Sequence, residues 1–269
     1  MKNYLHKVSG VKNKLDRKFR SFFWGSPKKV LFEHIPKCGG MTFNHFLKSQ
    51  YEDDKIFHIV GEQKRECIDR FKSLPKEIRS NYDLVLGHGA HELLELTHPD
   101  KITVTIFRDP IDRIVSHYFY VLRNPQHYLH EEIKNKKISL EDYVTSGLSD
   151  EELRNNYVTR FLQIPLAEAE QDPDRAVERA YNLIREKYTV VGILDDIDAA
   201  KSAIARAANF SNYQKFSHKV LNATPDRLKL QDIDPSTLET IAKVNFLDVR
   251  LYRQIKQLAA STTAPSTVQ

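Results

Sequence analysis

The sequence predicts an α/β fold: a doubly wound parallel sheet with helices on both faces and further helices inserted to one side. Three observations carry that expectation. Short apolar or β-branched runs alternate with stretches of helical period. Two of the strands end in turns suited to binding an anion and lead directly into helices. The 269 residues also suffice for one substantial core with an inserted helical part.

The chain opens on a basic arm. Residues 1–29 hold nine Lys or Arg (Lys2, Lys7, Lys12, Lys14, Arg17, Lys18, Arg20, Lys28 and Lys29) against Asp16 alone. That is +8 of charge within a total of +5, so the rest of the chain sums to −3. Tyr4, Val8, Val11, Leu15, Phe19 and Phe22 recur every three or four residues, with Phe23 and Trp24 beside the last and Gly10 interrupting the run. This is a basic amphipathic helix. It can lie on an anionic membrane surface, grip a polyanionic acceptor, or dock on its own domain.

The first strand is expected over Val30–His34 and its helix over Met41–Ser49, with Ile35-Pro36-Lys37-Cys38-Gly39-Gly40 between them. Adjacent glycines let the main chain approach a ligand and adopt angles other residues avoid. Several N–H groups can then point at one anion where a helix begins. Lys37 adds a mobile positive charge and Thr42 a hydroxyl. A plain strand-to-helix connection is the alternative for a Gly-Gly turn taken alone. The spacing differs from G-x-x-x-x-G-K-[ST], because here the lysine precedes the glycines.

A helix is expected over Gln63–Lys72 and a strand over Leu84–Gly87, which delivers His88 to a sheet end between Gly87 and Gly89. A histidine near its ordinary pKa can take a proton at neutral pH. One that merely satisfies a turn is the alternative, and His91 is the nearest competitor. The strand Ile102–Phe107 repeats the layout of the first: Arg108-Asp109-Pro110 closes it and a helix follows over Pro110–Leu122. Asp109 suits the N-cap and Pro110 the first turn. Arg113, Ser116 and His117 then fall about one turn apart. Two strand-end anion sites imply a ligand with two separate phosphate-like groups.

Asn124–Lys137 shows no clear period and is assigned to the acceptor side. Helices are expected over Leu140–Thr145, Glu151–Phe161, Asp174–Glu186, Ile197–Ala208 and, as one long element, Pro235–Leu258, with a strand over Thr189–Ile193. Ala259–Gln269 is rich in Ser, Thr and Ala and is expected to be disordered. The expected division is an arm over 1–29, one domain over 30–258 and a tail over 259–269.

No apolar run approaches the roughly 18 residues that span a bilayer, and no secretory signal is expected. Cys38 and Cys67 do not make a disulfide framework, which points to a reducing cytoplasm. Cys38 has no base near it in sequence and reads as a packing residue whose N–H matters more than its thiol. No zinc or calcium motif appears, so no metal is implied, and no nucleic acid is expected as a partner.

The His34–Thr42 and Arg108–Tyr118 segments closely resemble the sulfotransferases that use 3′-phosphoadenosine 5′-phosphosulfate (PAPS), in particular the branch that includes heparan sulfate 2-O-sulfotransferase and its bacterial relatives. In that family an H-I-P-K-[TC]-G-G-T loop binds the 5′-phosphosulfate and an R-D-P-x-x-R-x-x-S-x-[YF] segment binds the 3′-phosphate. The loop departs from the pattern at Met41, where a hydroxyl residue is common, and Thr42 follows at once. Asn155–Leu162 is similar to the family's N-x-x-T-R-[FY]-L segment, Val190–Ile197 to its later strand, and Asn245–Tyr252 to its closing helix.

The resemblance, over roughly Lys29–Leu258, implies a P-loop-like parallel sheet whose inserted helices form the acceptor side. It implies O-sulfation, with a sulfuryl group moving in line from PAPS to the hydroxyl of an acceptor, expected to be a saccharide or glycolipid. It assigns the 5′ end of the donor to Lys37, Cys38, Gly39, Gly40, Met41 and Thr42, and the 3′-phosphate to a forked contact from Arg108 and the hydroxyl of Ser116. His88 becomes the base, resembling the family's catalytic G-H segment, and Lys37 the cation at the leaving oxygen. Lys219, in the segment Ser217–Asn222, is assigned to a basic loop over the nucleotide. Arg113 stays open between the 3′-phosphate, three residues before Ser116 on the same helix, and a scaffolding pair with Asp109 or Asp112; Arg160 stays open between acceptor and scaffold, and His34 and His117 are expected to be structural. The expected location is cytoplasmic, with peripheral contact at the inner membrane face. The rivals are a P-loop kinase and a noncatalytic anion-binding or membrane-associated module.

Overall fold

The structure is a computed structural model that describes residues 26–148, 150, 153–211 and 228–264. Most of the basic arm, Lys219 and residues 265–269 lie outside the described residues. In chain order the first half runs β1 (Val30–Glu33), α1 (Gly40–Lys48), β2 (Ile56–Ile59), α2 (Lys64–Ser73), α3 (Lys76–Arg79), β3 (Leu84–Gly87), a 3₁₀ turn (Ala90–Leu96), β4 (Ile102–Phe107) and α4 (Pro110–Arg123). Then come α5 (His130–Asn135), α6 (Leu140–Thr145), α7 (Asn156–Leu162), α8 (Leu166–Gln171), α9 (Pro173–Lys187), β5 (Val190–Ile193), α10 (Ile197–Ala208), α11 (Pro235–Val244) and α12 (Phe246–Thr263).

The strands form one parallel sheet in the order β2-β3-β1-β4-β5. Central β1 and β4 are buried along their whole lengths, as strands covered on both faces must be. From β1 the chain passes to β2 at the sheet edge, returns to lay β3 between the two, and then crosses to β4 on the other side of β1. The strand order therefore reverses beside β1, and the crevice at the carboxyl ends is where such sheets bind ligands. Glu33 pairs in register with Gly87 on one side and Thr105 on the other, so β3, β1 and β4 deliver their turns to one edge.

On one face, α1 and α10 pack Phe43, Phe46, Leu47 and Ala203 against Phe32 and Val104. On the other, α2 and the 3₁₀ turn cover Leu31, Phe57 and Val85, while α7, α9 and α12 cover Phe107 and Val191. Helices α4, α5, α6 and α11 share a separate apolar cluster and form the inserted side module. Among the described residues no helix is long and apolar enough to cross a membrane.

Several expectations need correction. β2 went unread because only four residues alternate, Ile56 and His58 half exposed, Phe57 and Ile59 buried. The single helix expected over Pro235–Leu258 is two, because Asn155 Oδ1 accepts from Leu247 N (2.9 Å) and gives α12 its own start. Ala259–Thr263 is not disordered but extends α12, and Thr262 Oγ1 donates to Val191 O (2.8 Å) to fasten it to β5. The helix expected from Glu151 begins at Asn156, since Asn155 takes a left-handed φ of 48°. The aperiodic stretch Asn124–Lys137 contains α5, whose Ile133 is fully buried.

Candidate active site

The cradle is built by two left-handed residues. Lys37 (φ 65°) and Gly39 (φ 74°) reverse the chain between β1 and α1. Lys37 is not a glycine, and a residue held there is strained in the way functional loops often are. A Cβ at Gly40 would overlap the His34 imidazole, and one at Gly39 would fall on the Leu194 side chain. The amides of Gly39 and Gly40 make no hydrogen bond to any described residue, as first-turn amides do when a ligand is to take them. The amide of Cys38 is not available in this way: it donates to Ile35 O (3.3 Å) and closes the turn. Thr42 N likewise donates to Gly39 O (3.0 Å). The Thr42 side chain is buried and that of Met41, 54 % exposed, points outward.

The two motifs are bonded to each other. Arg108, buried at the end of β4, donates from Nη1 to Lys37 O (2.9 Å) and from Nε to Asp112 Oδ2 (2.6 Å). These bonds use two of the five guanidinium N–H groups, and among the described residues the second N–H of Nη1 and both of Nη2 have no acceptor. Arg113 pairs with neither Asp109 nor Asp112. It donates to Pro36 O (3.1 Å) and Asn156 Oδ1 (3.0 Å), lies 3.9 Å from Asp248 and sits over the Tyr157 ring. Tyr157 OH donates to Arg108 O (2.9 Å) and lies 3.3 Å from Cys38 Sγ. Burial pushes the Cys38 thiol up, and it acts as packing.

Asp112, Ser116 and Tyr120 share a face of α4 at four-residue spacing. Asp112 holds Arg108, and Lys37 Nζ lies 3.9 Å over the Tyr120 ring. Ser116, between them on that face, is therefore turned toward the cradle. His117 packs as expected, with Nδ1 2.8 Å from Tyr143 OH.

His88 stands beside the start of the same loop. Its Nδ1 is 2.6 Å from His34 O. A carbonyl can only accept, so Nδ1 carries the proton and Nε2 keeps its lone pair. Burial lowers its pKa, helped by Arg160, so the ring is neutral at neutral pH. The His34 and His88 ring centroids are 4.2 Å apart. Burial, then His88, holds His34 well below the ordinary histidine value.

Glu33, fully buried at the end of β1, accepts from His91 N (2.8 Å) and Gly89 N (3.3 Å) and lies 3.4 Å from Arg160 Nη1. His91 Nδ1 is 3.1 Å from the same carboxylate, close enough to pair when protonated though off the line of a hydrogen bond. Burial by itself would raise Glu33, but His91 and Arg160 outweigh it and hold the carboxyl at about 2. Arg160 is thereby tied to the scaffold through Glu33 and Asn156 Oδ1.

A cavity of about 290 Å³ lies nearby, lined by residues that include Lys72, His91, Phe161 and Lys187. It reaches none of Lys37, His88 and Arg108 and is not the cradle. Among the described residues no group of three or more His, Cys, Asp or Glu is arranged to hold a metal ion.

Sequence reasoning missed Glu33, Asp112, Tyr120 and Tyr157 as members of the site. Glu33 alone left a signal, a carboxylate inside an otherwise apolar strand next to the cradle. The curated proteins searched include no match to the chain. Among protein families, the sulfotransferase family matches it over residues 20–253.

Proposed function

The chain belongs to the sulfotransferase family, and from that premise we propose that it moves a sulfuryl group from PAPS to an acceptor hydroxyl, with His88 as base and no metal. The carrying observation is that the parallel strands β3, β1 and β4 bring His88, the cradle and Arg108 to one edge of the sheet. Arg108 is bonded to the loop through Lys37 O, and His88 is bonded to its first residue through His34 O.

The residues present fit such a donor. The open amides of Gly39 and Gly40 with the Lys37 ammonium would hold the phosphosulfate end. Arg108 Nη2 and the Ser116 hydroxyl would hold the 3′-phosphate. When bound, the donor supplies an activated sulfuryl group whose leaving group is a phosphate oxygen. His88 Nε2, its tautomer fixed by His34 O, takes the proton of the acceptor hydroxyl. Lys37 brings a cation to the side where charge develops on the leaving oxygen. The side module of α4, α5, α6 and α11 flanks the site and is the acceptor side in this reading, for a saccharide or glycolipid.

Thermal denaturation with adenosine 3′,5′-bisphosphate tests the donor. The bisphosphate should raise the transition in the presence of a chelator while ATP with Mg²⁺ does not. Stabilisation by ATP with Mg²⁺ alone would favour a kinase and overturn the proposal.

A further inference from the structure

His88 hangs on a turn that has little stiffness of its own. Gly87 (φ 134°) and Gly89 (φ 84°) flank it, and both lack the side chains that would restrict the backbone. Group transfer needs the base held to within about half an ångström of its working position. The turn must therefore be anchored from outside, and two anchors are present, both from the end of β1. One is His34 O on the His88 ring. The other is the Glu33 carboxylate, which takes the amides of Gly89 and His91 and is itself held by Arg160.

A carboxylate in mid-sheet is costly to bury, and an apolar residue would serve the core as well. Its position is explained by what it holds. We propose that Glu33 is a positioning residue for His88, pinning the Gly89–His91 turn to the strand that carries the cradle so that base and donor site keep one geometry. This rests on the reading of His88 as the base.

The charged and titratable groups facing His88 are His34 and Glu33 from the end of β1, His58 from β2, Lys64 from α2 and Arg160 from α7. Glu33 is the negative one, and it favours protonation of the ring. Removing its charge therefore moves the acid limb of the rate profile to lower pH, a change that loosened packing alone would not produce.

The test compares Glu33→Gln, Glu33→Asp and His88→Ala. The readouts are transfer of labelled sulfuryl groups from PAPS to a pooled saccharide and glycolipid acceptor, bisphosphate binding, and the His88 ring pKa by NMR. Glu33→Gln should cut kcat roughly 10- to 100-fold, leave bisphosphate affinity nearly intact, and lower both the ring pKa and the acid limb. Glu33→Asp keeps the charge but cannot reach both amides, so kcat should fall with the acid limb in place. Wild-type kcat in either variant would overturn the proposal, as would a loss that only tracks lost bisphosphate binding. If the Gln variant does not fold, the Asp variant decides alone. Retained activity in His88→Ala would instead sink the assignment of the base, whatever the Glu33 variants do.

Discussion

At Gly40 one methyl group decides whether the cradle closes, because a side chain there would occupy the space of the His34 imidazole. Gly40→Ala should cost about 1–3 kcal/mol and abolish bisphosphate binding, as read by thermal denaturation and titration. A variant with wild-type affinity would mean that the loop is not the donor site. His88→Ala should reduce turnover by about 10²–10⁴-fold while bisphosphate affinity stays nearly unchanged. Because burial lowers the His88 pKa, the acid limb of kcat/KM should lie below the ordinary histidine value of 6.5.

Glu33 has the opposite kind of linkage. Its folded pKa, about 2, lies below the ordinary 4.5, so its contribution to stability is present above that ordinary value and is lost as pH falls toward about 2. Wild-type stability should fall more steeply than that of Glu33→Gln between these limits in denaturant titrations. At this scale the loop was legible because lysine, glycine and hydroxyl residues sit together in sequence. The bonding of the Cys38 amide to Ile35 O and of Arg108 to Lys37 O and Asp112 was not, since each depends on where the folded backbone points.

Among elements, α7 and α12 stabilise each other's starts and, through Tyr157, the cradle. Asn155 Oδ1 accepts from Leu247 N at the start of α12, and Asp248 accepts from Tyr157 N (3.0 Å) and Val158 N (3.1 Å) at the start of α7. Burial pushes the Asp248 carboxyl up to about 7 against the pull of Arg113. Tyr157→Phe keeps the ring that packs on Phe107 and under Arg113 but removes the hydroxyl that holds the Arg108 carbonyl. It should cost about 1 kcal/mol of stability and weaken bisphosphate binding several-fold. Unchanged binding would show that the hydroxyl does not set Arg108. The strands β1, β3, β4 and β5 and the helices with clear period were legible within a residue or two. β2 was too short to announce itself. The break at Asn245 is imposed by Asn155, distant in sequence, and no local pattern carries it.

The whole molecule divides its charge: the arm is strongly positive and the remainder slightly negative. An arm that lies on anionic lipid should carry the full chain down with anionic vesicles, and removal of residues 1–29 should leave the protein in the supernatant. Equal partitioning would end the membrane reading. The doubly wound class was legible from alternation of strand and helix. The order β2-β3-β1-β4-β5 was not, because parallel pairing is chosen by contacts between strands far apart in the chain. That order nonetheless gathers Lys37, His88 and Arg108 at one edge. The most direct test of a PAPS site there is isothermal titration with adenosine 3′,5′-bisphosphate, without metal, on the wild type and on Arg108→Ala. The account predicts binding to the wild type and its loss in the variant; no binding to the wild type, or equal binding to both, would contradict it.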